Sequence, residues 1–163
     1  MRIVVIGPSG SGKSEAGLRL ARLMGASFVD ADDLHPPANV AKMAAAIPLD
    51  DDDRMPWLDL VGAALRDADD IVMACSALAR RYRDRILATA PDARFVALEV
   101  PPEELARRMR ERAHFMPPAL LASQLAVWEP LAEDEPGMTV RNTGDLDEVV
   151  RGIAGELGAQ SLR

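Results

Sequence analysis

Gly7-Pro8-Ser9-Gly10-Ser11-Gly12-Lys13-Ser14 carries the residue types that hold a polyphosphate. Glycines at Gly7, Gly10 and Gly12 allow backbone conformations and close approaches that a β-carbon would block. Successive amide N–H groups can then surround phosphate oxygens, including those of Ser9 and Ser11. The start of a following helix adds partial positive charge. The Lys13 ammonium reaches the β- and γ-phosphates, and the Ser14 hydroxyl supplies a ligand for Mg2+. The spacing is that of the Walker A loop, which requires a strand before it and a helix after it. Both are present, as Ile3 to Ile6 and as the stripe Ala16, Leu20, Leu23 and Met24. The motif predicts Mg-ATP as ligand and is silent on the acceptor.

Phosphoryl transfer also needs a carboxylate. The third apolar run ends in Cys75-Ser76, without the aspartate that often orders the magnesium shell in such folds. The second ends in Asp30, Asp32 and Asp33, at the strand edge where open α/β sheets bind ligands. Asp32 is the preferred candidate, either beside the metal with Ser14 or as acceptor of the substrate proton. Arg107, Arg108, Arg110 and Arg112 crowd one segment, and a guanidinium closing over the transferring group would stabilise its charge. Lys13 and Lys42 are the only lysines among 19 basic residues. Lys42 is equally readable as a solvated helical residue.

The elements that must position these groups alternate short apolar runs with helical periods, which predicts an α/β fold. Its core is a five-stranded parallel sheet with helices on both faces. The strands are expected at Arg2 to Ile6, Ser27 to Asp30, Asp70 to Ala74, Arg94 to Val100 and Met138 to Arg141. Gly25 reads as a helix C-cap, and a helix is expected to begin at Pro56 with Asp50 to Asp53 capping it. Pro102 to Arg112 and Ala119 to Glu129 read as helices broken at Ala113 to Pro118, a pattern expected of a mobile helical lid over about 105–130. A last amphipathic stripe joins Leu146, Val149, Val150, Ile153 and Leu157.

At 163 residues the chain suffices for a single domain, 1–163. Its net charge of −7 and pI near 4.8 exclude general electrostatic attraction to nucleic acid. No apolar run approaches the roughly 20 residues of a membrane span, and the N-terminal residues lack a secretory pattern. With Cys75 as the only cysteine, an intramolecular disulfide is ruled out, and a cytoplasmic setting is expected.

Beyond the loop, several stretches occur in one order: DADDLHPPANVAKM from Asp30, PLDDDDRMPWL from Pro48, ACSALARRYRD from Ala74, HFMPPALLASQL from His114 and DEPGMTV from Asp134. Together they resemble the gluconate kinases of the small thermoresistant type, nearly end to end. The resemblance implies a P-loop kinase of the shikimate-kinase-like group, often a homodimer. The reaction implied is ATP-dependent phosphorylation of D-gluconate at its 6-hydroxyl. It implies lid arginines at Arg108 and Arg112, and acceptor contacts from His35, Arg54, Arg83, His114 and Gln124. The arginines suit a bidentate carboxylate contact. For His35, His114 and Gln124 a structural hydrogen bond is an equal alternative. Ala79 stands where the family has lysine, leaving Arg80 as its replacement, and the lid lacks a residue between Arg112 and His114. A shikimate-like or nucleoside monophosphate kinase, and a non-catalytic ATP-binding regulator, are the competing readings.

Overall fold

The computed structural model describes residues 1–112 and 118–161. Five parallel strands form one sheet: β1 (Arg2–Ile6), β2 (Ser27–Asp30), β3 (Ile71–Cys75), β4 (Arg94–Glu99) and β5 (Gly137–Arg141), in the order β2-β3-β1-β4-β5. Around them lie α1 (Lys13–Met24), α2 (Pro37–Ala44), α3 (Asp51–Asp67), α4 (Arg80–Thr89), α5 (Pro102–Glu111), α6 (Pro118–Val127) and α7 (Leu146–Ser161). A 3-10 turn, Ala31–Leu34, follows β2.

The period of two along each strand sorts side chains to opposite faces. Val4, Ile6, Met73, Phe95 and Ala97 pack with Trp57, Leu58, Val61 and Leu65 of α3 and with Tyr82 and Ile86 of α4. Ile3, Val5, Val72, Val96 and Leu98 meet Ala16 and Leu20 of α1 and Val150, Ile153 and Leu157 of α7. With both faces covered, the inner strands are continuously apolar.

The strand expectations shift by single residues for local reasons. β3 opens at Ile71, which pairs with Arg2 and Ser27, while Asp70 just before it binds the N-terminal ammonium of Met1 through its carboxylate at 2.7 Å. Cys75 closes β3 by pairing with Ile6. Gly137 opens β5 beside Phe95, where a β-carbon would lie 2.1 Å from the Phe95 carbonyl oxygen.

Pro56 does not begin its helix. Asp50 accepts from the Asp53 amide at 2.9 Å and the Asp53 carboxylate accepts from the Asp50 amide at 3.1 Å, a reciprocal cap that starts α3 five residues earlier. The helix continues through Pro56 without the hydrogen bond its missing N–H would have made. The Lys42 ammonium contacts both Asp53 oxygens, at 2.8 and 2.7 Å, tying α2 to this cap. Gly25 ends α1 in the left-handed region at φ 68°, with Ala26 N–H donating to the Ala21 carbonyl at 2.9 Å.

Candidate active site

β3 and β4 flank β1 on opposite sides, which opens a crevice at its carboxyl end. The residues Gly7 to Ser14 fill that position. Gly12 caps α1 at φ 87°, where a β-carbon would stand 2.8 Å from the Asn142 side-chain nitrogen. A β-carbon on Gly7 would meet the Ser11 hydroxyl at 2.6 Å. That hydroxyl is the one buried side-chain polar atom among the described residues without a partner. Tight backbone, an unspent buried hydroxyl and Lys13 at the head of α1 fit a polyphosphate.

The Ser14 hydroxyl donates to Asp30 Oδ2 at 2.8 Å, while Asp30 Oδ1 accepts from the Asp32 amide at 3.0 Å. The carboxylate hydrogen-bonded to Ser14 is Asp30, two residues before the Asp32 expected to share the metal with it. Asp30 ends β2, and the 3-10 turn carries Asp32 onward into a separate cleft.

That cleft, about 220 Å³, is bordered by Lys13, Asp32, His35, Arg54 and Gln124. Asp32 is 65% exposed through the opening, yet protein crowds it from behind. Desolvation raises its pKa, with Lys13 opposing and Asp30 adding to the rise.

The ring of His35 is 3% exposed and stacks on Trp57 at 4.1 Å between centroids. Trp57 is itself fixed by its indole N–H, which donates to the Ala31 carbonyl at 2.7 Å. Asn39 Nδ2 donates to the Asp53 carbonyl at 3.0 Å and lies 3.2 Å from His35 Nδ1. The carbonyl can only accept, so the amide orientation is set and Nδ1 is the acceptor. The proton then resides on Nε2, 3.8 Å from Asp32 Oδ1. Burial lowers the His35 pKa, Asp32 counteracts, and Arg54 lowers it further. A neutral imidazole presenting Nε2–H to the cleft is the result. The two alternatives for His35 are thus compatible, since one nitrogen is structural and the other faces the cleft.

Arg54 borders the cleft from α3, and its Nη1 donates to the Tyr82 hydroxyl at 2.8 Å. No carboxylate among the described residues forms an ion pair with it. Gln124 Oε1 accepts from the Ser9 amide at 2.8 Å, so α6 touches the phosphate loop directly.

On the other side of the loop a cleft of about 270 Å³ is lined by Gly10, Gly12, Arg108, Arg112, Asn142 and Gly144, with others. Arg108 donates to the Gly10 carbonyl at 3.1 Å and to the Asn142 carbonyl at 2.8 Å. Asn142, 4% exposed, donates from Nδ2 to the Ser11 carbonyl at 2.8 Å. The two expected lid arginines thus stand on this side, away from Asp32. A further cleft of about 310 Å³ beneath α5 and α6 is mainly apolar, and from the loop only Pro8 reaches it.

Two expected acceptor contacts are not brought to the cleft. Arg83 is fully buried, its guanidinium held by Glu135 at 2.6 and 3.0 Å and by the Ala77 carbonyl at 3.0 Å. Burial pushes the Glu135 carboxyl up, but the Arg83 and Ala132 hydrogen bonds outweigh it and the net shift is downward. Arg83→Met is expected to strand Glu135 in the interior and destabilise the fold by about 3–5 kcal/mol, read by urea unfolding. Arg80 forms a two-pronged pair with Asp134 at 2.8 and 2.6 Å in solvent. His114 lies outside the described residues.

Asn39, Tyr82 and Asn142 were not singled out by sequence. Asn39 and Tyr82 fall inside the quoted stretches, but neutral side chains of this kind carry no mark of their role. For Asn142 the sequence holds no comparable signal.

A phosphate loop at a sheet switch point, with a carboxylate and an arginine that no described carboxylate pairs in the adjoining cleft, defines the class of P-loop phosphotransferases. Residues 3–115 match the AAA domain family. A gluconokinase of Gluconobacter oxydans (strain 621H) is 41% identical, with 94% of this chain and 92% of that protein covered. The crystal structure of a gluconokinase from Sinorhizobium meliloti 1021 superposes with a TM-score of 0.90 at 42% identity, covering 98% of this chain and 92% of that one. Shikimate kinase from Acinetobacter baumannii shares the fold, with a TM-score of 0.69 at 19% identity over 99% and 95% of the two chains. The chain belongs to the gluconokinase family.

Proposed function

We propose that the chain phosphorylates D-gluconate at its 6-hydroxyl with ATP, giving 6-phospho-D-gluconate and ADP, as a single domain of 1–163 with a lid at about 105–130. The observation that carries this reading is Arg54. It is a guanidinium without a carboxylate partner among the described residues, in the same cleft as Asp32 and Lys13. A sugar acid supplies the missing anion, and its hydroxyls suit His35 Nε2–H and neighbouring polar groups.

The acceptor hydroxyl gives its proton to Asp32 as its oxygen bonds to the γ-phosphorus. The bond from that phosphorus to the β–γ bridging oxygen breaks, and ADP departs. Lys13 and the loop amides of Gly10 to Ser14 hold the phosphates. The nucleoside occupies the side lined by Arg108, Arg112 and Gly144, leaving the acceptor cleft clear. Arg108, already at Gly10, is the arginine best placed to meet phosphate charge.

Ser14 and Asp30 fit a hard cation through their oxygen donors. They would hold Mg2+, which when bound neutralises charge on the β- and γ-phosphates. Asp32 is thereby left to orient the hydroxyl and take its proton. A homodimer and a cytoplasmic setting rest on the family resemblance and on the single buried Cys75. No helix among the described residues is long and apolar enough to cross a membrane.

Arg54→Ala is expected to raise the KM for gluconate by about ten- to a hundredfold, with the KM for ATP little changed. That range is what a charge-assisted carboxylate contact contributes. An unchanged KM for gluconate in steady-state kinetics would remove Arg54 from the acceptor site.

A further inference from the structure

Arg54 is held in an unusual way for an anion-binding arginine. Among the described residues its guanidinium makes one hydrogen bond, to a neutral oxygen, the Tyr82 hydroxyl, so its orientation is constrained while its charge remains available. The same hydroxyl accepts from Arg81 Nη2 at 2.9 Å and donates to Asp51 Oδ1 at 2.5 Å. One donor and two lone pairs are all used. Tyr82 is 2% exposed, and both guanidiniums lie over its ring, Arg54 at 5.2 Å and Arg81 at 4.5 Å from the centroid. Asp51 is in turn gripped by Arg81 at 2.9 and 3.1 Å.

We propose that Tyr82 is a positioning residue for recognition of the acceptor carboxylate. Its hydroxyl, polarised by Asp51, fixes the Arg54 guanidinium in the wall of the acceptor cleft without neutralising it. The inference rests on the assignment of that cleft to gluconate. Placing the anchor through a tyrosine solves a physical conflict: a carboxylate partner would fix Arg54 equally well but would compete with the substrate anion. Asp51 stands one bond removed, beyond Tyr82, where it strengthens the hydroxyl as an acceptor without pairing with Arg54. Hydrogen bonds from Arg81 and then from Tyr82 pull the Asp51 carboxyl down to about 2, so it remains an acceptor at neutral pH. Burial, followed by Asp51, raises the Tyr82 pKa, which keeps the phenol protonated.

Steady-state kinetics on Tyr82→Phe, Arg54→Ala and the double variant test this. Tyr82→Phe is expected to raise the KM for D-gluconate about tenfold, the value of one charge-assisted hydrogen bond, leaving kcat and the KM for ATP within about twofold. The double variant is expected to be no worse than Arg54→Ala alone, because the two side chains act as one unit. Asp51→Asn, at a half-exposed position, is expected to raise the same KM by a smaller factor, and it decides the matter if Tyr82→Phe does not fold. An unchanged KM, a loss confined to kcat, or additive effects of the two substitutions would overturn the positioning role. If Arg54→Ala itself leaves the KM for gluconate unchanged, the assignment of the cleft fails, a result distinct from the other three.

Discussion

Lys13→Ala is expected to lower phosphoryl transfer by at least about a thousandfold in an ADP-release assay with gluconate, while the fold is retained. The side chain sits at the first residue of α1, where the loop amides and the helix start already attract phosphate. What it adds is a mobile point charge that can follow the γ-phosphoryl group from donor to acceptor. No other lysine can take its place, because Lys42 is the only other one and both Asp53 oxygens hold it against α3. Nor does Arg108 substitute for it, since Arg108 is anchored on the far side of the loop by the Gly10 and Asn142 carbonyls and by Glu104, where it can meet phosphate charge but not travel with the transferred group. Lys13→Arg is expected to recover little, as a planar fork does not reproduce a compact ammonium in a tight loop.

Asp32→Asn is expected to reduce kcat by about a hundred- to ten-thousandfold with modest change in either KM, the signature of a lost proton acceptor. Its environment gives the wild-type enzyme a recognisable pH profile. To take the proton as proposed the carboxylate must be ionised, and desolvation raises its pKa above the ordinary 3.8, with Lys13 limiting the rise. Since kcat/KM reports the free enzyme, its acid limb is expected above pH 3.8, with activity lost as pH falls through the raised value. Asp32→Asn is expected to abolish that limb. An Asp30→Asn variant serves as the contrast. Asp30 pairs with Ser14, so this change is expected to raise the magnesium requirement more than it alters the acid limb.

The loop was legible because each of its residue types answers a demand of phosphate binding, and β1 and β2 because their apolar runs end at chemistry. The start of α3 was misplaced because proline at a first turn is a common signal, whereas the Asp50–Asp53 cap requires seeing which carboxylate faces which amide. Arg83 and Arg54 look alike in sequence, both arginines in motif stretches. Only the fold distinguishes them, by bringing Glu135, 52 residues away, onto one and leaving the other without a carboxylate partner among the described residues. Asp30 and Asp32 likewise differ by two positions in one turn, and it is the 3-10 bend that leaves one on Ser14 and the other on the cleft with His35 and Arg54. Such assignments depend on long-range packing that local residue type does not encode.

Gluconate phosphorylation is tested most directly by supplying the purified protein with Mg-ATP and, in parallel, D-gluconate, shikimate and nucleoside monophosphates, and following ADP release together with the phosphorus NMR spectrum. The expected result is ADP release dependent on gluconate, with a matching phosphomonoester resonance at carbon six and only background turnover on the other acceptors. Tight ATP binding with no phosphorylated gluconate, or preferential turnover of shikimate or a nucleoside monophosphate, would contradict it.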